Sequence, residues 1–96
     1  MKNYNQDNRL YETEKLTFAA YLLASGKSEL KEARPVLRSN IVLFVLSPPP
    51  SNEDITIFFN GTGQVSALKF SETMNTLKSA AYEIRRNSNS SRNISQ

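Results

Sequence analysis

Ile41-Val42-Leu43-Phe44-Val45-Leu46, closed by Ser47 and the triplet Pro48-Pro49-Pro50, is the stretch from which the fold is read. Six consecutive apolar residues, most of them β-branched or aromatic, form the pattern of a strand covered on both faces, since a half-exposed strand would alternate. Three prolines in a row fit neither a sheet nor a helix interior, and they stop it. Upstream, residues 28–38 alternate imperfectly and contain Pro35, whose missing N–H confines this segment to a sheet edge. Ser39-Asn40 reads as a two-residue turn, so the two segments are expected to pair as a hairpin.

Helical signals flank the hairpin on both sides. Before it, Thr13 reads as an N-cap, Glu14 suits the positive end of the first turn, and Gly26 stands where a left-handed C-cap residue belongs. Leu16, Ala19, Ala20, Leu23 and Ala24 share one face, while Phe18, Tyr21 and Leu22 make the rest apolar as well. A helix apolar nearly all round is buried by several elements at once, which places it at the centre of the fold. After the prolines, Ser51 and Asp54 match a capping box with Asp in place of Glu, opening a short helix that ends near Asn60-Gly61. The β-rich composition of residues 55–59 keeps a strand as the alternative there. Ser66 then caps a last helix with Phe70, Met74, Leu77, Ala81 and Ile84 at spacings of 4, 3, 4 and 3, ending near Arg86. The predicted fold is a small α+β domain in the order α-β-β-α-α, an antiparallel hairpin packed against helices.

Three sections divide the chain: a polar arm at residues 1–10, one globular domain at 11–86, and a flexible Asn/Ser-rich tail at 87–96. The tail holds one charge and one aliphatic residue, too little apolar surface to offset its ordering entropy. A 10.8 kDa chain buries only about 60–65% of the surface its unfolded state exposes. A lone two-stranded sheet is marginal in so small a domain, so a homodimer is expected to supply the missing cover.

Composition narrows the function. The 96 residues contain no His and no Cys, the side chains that most readily exchange protons or attack carbonyls near neutral pH. Neither a disulfide framework nor thiolate metal ligation is open to the chain, which fits a reducing cytoplasm. The start is polar, unlike a secretory signal, and no apolar run approaches the ~20 residues needed to cross a bilayer. The acidic pairs Glu12/Glu14, Glu29/Glu32 and Glu53/Asp54 read as solvated surface, neither acid–base dyads nor hard-metal ligands. The expectation is a non-enzymatic, cytoplasmic protein with no cofactor, no metal and no membrane span.

Charge is unevenly distributed. The first 68 residues carry seven Lys/Arg and seven Asp/Glu, whereas the remainder carries five bases against two acids, so the whole net charge of +3 belongs to the last helix and tail. Along that helix Ser71, Asn75, Lys78, Tyr82 and Arg85 share a face, with Arg86 alongside and Arg92 in the tail. Bases flanking an aromatic ring are what phosphate neutralisation and base stacking require, and a plain solvated face is the competing interpretation. Asn75, Lys78, Tyr82, Arg85, Arg86 and Arg92 are thus the candidate surface for nucleic acid. The alternative is a protein partner that orders the tail on contact. Gly61-Thr62-Gly63-Gln64 reads as an interhelical turn, since it lacks the Lys and preceding strand of a phosphate loop.

Tyr11-Glu12-Thr13, Ala19-Ala20-Tyr21-Leu22-Leu23-Ala24, Gly26, Phe44-Val45, Phe59-Asn60-Gly61, Val65, Phe70, Leu77-Lys78 and Tyr82 occur in an order that resembles a family of short bacterial and phage domains of unknown function. The likeness spans residues 11–82. It implies a shared fold and brings no chemistry with it. Glu14 stands where that family tends to have Asp, and Ser66-Ala67 where it commonly has Asp-Pro; both changes keep the helix boundaries.

Overall fold

The computed structural model describes residues 9–94, with side chains for residues 9–87. The chain runs β1 (Tyr11–Thr13), α1 (Leu16–Ala24), β2 (Glu29–Pro35), β3 (Val42–Ser47), α2 (Asn52–Phe59) and α3 (Ala67–Ile94). It is α+β, but it opens on a strand, so the order is β-α-β-β-α-α and not α-β-β-α-α. Among the described residues no helix is long and apolar enough to cross a membrane. Of the arm expected at 1–10, residues 1–8 lie outside the described residues; of the tail expected at 87–96, residues 95–96 and the side chains from 88 onward do. Where the last helix was expected to end near Arg86, the backbone of α3 continues to Ile94, with no Pro or Gly in that stretch to stop it.

The expected hairpin is part of a three-stranded antiparallel sheet in the order β1-β3-β2. β3 is central, as its apolar run requires. On one side β1 sets Tyr11, Glu12 and Thr13 opposite Leu46, Val45 and Phe44. On the other, β2 forms the edge that Pro35 calls for, with a register shift at Lys31 between Leu30 and Glu32. Alternation then gives β3 two different faces. Val42, Phe44 and Leu46 enter the core with Phe18, Tyr21 and Leu22 of α1 and Leu77 and Ala81 of α3. Val45, only 1% exposed, lies outside that cluster. Its register neighbours are Glu12 and Glu32, and Arg34 of β2 forms ion pairs with both. The Glu12–Arg34 pair joins the two edge strands across β3. A third strand and a polar strap thus cover the second face of β3.

Local signals explain most boundaries. Thr13 is a strand residue, not the N-cap of α1; Lys15 holds that position without a side-chain cap, and its N–H donates to the Thr13 hydroxyl at 3.1 Å. Glu14 accordingly precedes the helix and is not in its first turn. At the far end Gly26, with φ +78°, lets the N–H groups of Gly26 and Lys27 reach the carbonyls of Leu23 and Leu22, a Schellman closure. Gly61, with φ +73°, closes α2 the same way onto Phe58 and Ile57. The Ser51–Asp54 capping box forms in both directions, so residues 55–59 are helical despite their β-rich composition. Ser66 caps α3 through the Lys69 N–H, and Phe70, Met74, Leu77, Ala81 and Ile84 turn toward the core. The turn between β2 and β3 is longer than two residues: the Val36 N–H donates to the Ile41 carbonyl, enclosing residues 37–40, and Arg38 takes φ +64°.

Candidate nucleic-acid interface

Two loops meet the middle of α3. Ser39 fixes the β2–β3 turn by donating its hydroxyl to the Val36 carbonyl and accepting from the Ile41 N–H, both at 3.0 Å. That presents the Asn40 carbonyl to α3, where Arg85 donates to it at 3.2 Å. The turn is thereby tied to the helix, and a cleft of about 300 Å³ opens beside the tie. Its floor is apolar, formed by Leu16, Val42, Phe44 and Ala81; Glu14, Asn40, Lys78 and Arg85 provide its polar groups. Asn40 and Arg85 also belong to a second depression, lined with Tyr82 and Arg86.

Apart from Arg92, the residues proposed from the sequence can now be placed. Lys78, Tyr82, Arg85 and Arg86 do come together around these two adjoining clefts. Tyr82 is 61% exposed, which leaves its ring available to a flat partner. Asn75 is exposed on α3 but lines neither cleft. The Arg92 side chain lies outside the described residues. Two groups that spacing on one helix could not reveal are Glu14 and Asn40, brought in from the loop before α1 and the hairpin turn.

The cations differ in how committed they are. Lys78 has no ion pair or hydrogen bond among the described residues. Arg85 uses one N–H of its five on Asn40, keeping the rest of its fork for a ligand. Arg86 bonds Glu83 at 2.8 Å, and that hydrogen bond, with the carboxylate's charge, pushes its pKa further up, so it stays charged at all working pH values. An exposed pair of this kind is worth little in water and exchanges readily for phosphate.

A third cleft, of about 230 Å³, is lined by Tyr21, Phe58, Gly61, Gly63, Val65 and Phe70 and contains no charged side chain. Gly63 belongs to the packing there: a Cβ on it would come within 2.8 Å of the Tyr21 ring and hydroxyl. The Gly61–Gln64 segment is the interhelical turn its sequence suggested. Among the described residues no group of three or more His, Cys, Asp or Glu gathers as a metal site. No family model, curated protein or solved structure matches this chain.

Proposed function

We propose that this protein is a small non-enzymatic module that binds single-stranded nucleic acid along the middle of α3. One observation carries the reading: Tyr82, its ring exposed, sits among Lys78, Arg85 and Arg86 at two adjoining clefts, with Lys78 unpaired among the described residues. An exposed ring stacks on an unpaired base whatever its identity, and cations about one helical turn to either side of it neutralise neighbouring phosphates. Duplex DNA hides its bases from such a ring, which is why single strands are the favoured ligand. The likeness of residues 11–82 to short bacterial and phage domains is part of this proposal for the fold and lends nothing to the activity.

The test is fluorescence anisotropy with a labelled mixed-sequence single strand. Tyr82→Ala is expected to weaken binding by roughly 1–3 kcal/mol, the usual worth of one stacked base. Lys78→Glu/Arg85→Glu/Arg86→Glu should abolish it at moderate salt. Equal binding by all three proteins would remove α3 as the interface. A protein partner is the second reading, favoured by Leu37 at 85% exposure on the hairpin turn and Leu68 at 69% in the first turn of α3. Binding to a protein through those residues, with no affinity for oligonucleotides, would select it.

A further inference from the structure

The 300 Å³ cleft beside Arg85 has a composition that phosphate binding alone does not explain. Lys78 and Arg85 line it, and so does a carboxylate, Glu14. Glu14 has no ion pair or hydrogen bond among the described residues, although two cations share its cleft. It also stands outside α1, so it does not serve that helix as a first-turn acid. A negative charge on a phosphate-binding surface weakens every contact except one that uses it as an acceptor. Beneath these groups lies the apolar floor of Leu16, Val42, Phe44 and Ala81, suited to the face of a flat ring. The volume is at the low end for ligand pockets, room for one small planar group.

We propose that this cleft receives one unstacked base and that Glu14 selects guanine. The inference rests on the reading of α3 as a single-strand interface. Guanine alone among the common bases offers a carboxylate two adjacent N–H donors, N1–H and the N2 amino group, on its Watson–Crick edge. Cytosine and adenine present one amino group beside a ring acceptor, and thymine and uracil flank their single N–H with carbonyls that repel the carboxylate. With the base on the apolar floor, Lys78 and Arg85 meet the phosphates on either side, and Asn40, whose backbone carbonyl is held by Arg85, lines the same cleft. Reading an unpaired base by its Watson–Crick edge is the ordinary mode of single-strand selectivity.

The experiment compares a short labelled oligothymidylate with the same strand carrying one central guanine, cytosine or adenine, in deoxyribose and ribose forms, against the native protein and Glu14→Gln. The native protein should bind the guanine strand about tenfold more tightly than oligothymidylate, in line with one good bidentate contact. In Glu14→Gln the preference should fall toward unity while affinity for oligothymidylate holds or rises, which also shows that the variant is folded. Equal affinity for all strands, or a guanine preference that survives in Glu14→Gln, overturns the selectivity while leaving the interface on α3 intact. Absence of binding to every strand overturns both.

Discussion

Arg38 and Gly63 occupy positions where backbone or side-chain space is restricted, and each has a measurable consequence. Arg38 holds φ +64° in the hairpin turn, a region that costs an ordinary L-residue about 1–2 kcal/mol and that Asn tolerates better. Arg38→Asn should therefore raise stability by up to about 1 kcal/mol in urea unfolding. Gly63 lies against a Tyr21 ring that is buried and already packed on Phe58, with ring centroids 5.5 Å apart. Gly63→Ala must push that ring aside and is expected to cost about 1–2 kcal/mol, read as a lower denaturant midpoint at unchanged slope. Asp54 links a charge to the fold. Slight burial pushes its pKa up, but the hydrogen bonds from the Ser51 N–H and hydroxyl and the nearby Lys27 ammonium outweigh this and hold it below 3.8. A depressed folded pKa means that its contribution is complete above the ordinary carboxylate range and is lost as pH falls through the lower folded value. In Asp54→Ala the acid side of the stability–pH curve should be flatter below about pH 4 than in the native protein.

The elements differ in how plainly the sequence announces them. α3 is legible twice over, from the Ser66 cap and from a stripe that includes the buried Leu77 and Ala81. Leu77→Ala, which empties the contact between α3 and the core, should cost roughly 2–5 kcal/mol, whereas changes on the opposite face should cost far less. α2 shows a local device overruling composition: its β-rich core is helical because the Ser51–Asp54 box satisfies the first-turn N–H groups while Ile55 and Phe58 pack inward. Ser51→Ala should remove about 1 kcal/mol, measurable by thermal unfolding. β1 is the element that sequence patterning missed. Three residues are too short to show alternation, Thr13 imitates an N-cap, and the partner strand is remote in sequence, so no local pattern marks the pairing. The Arg34–Glu12 strap was hidden for the same reason. The hairpin turn was misjudged in length because Arg38 in a left-handed conformation has no compositional signal. The candidate interface divides along that line: Lys78, Tyr82, Arg85 and Arg86 follow from helical spacing, and Glu14 and Asn40 are delivered only by the topology.

Taken together, the chain is a nearly neutral α+β body whose net positive charge is concentrated toward its C-terminal end. On the proposed reading such asymmetry would direct an anionic strand to one side of the protein, and the contact would respond to salt. The decisive measurement is the affinity for a labelled single strand across a salt titration. If Lys78, Arg85 and Arg86 each neutralise a phosphate, the logarithm of the affinity falls with the logarithm of salt at a slope of roughly −2, and the slope shrinks by about 0.7 for each of them reversed to Glu. Affinity that is flat with salt, or a slope unchanged when all three are reversed, would contradict nucleic-acid binding at α3.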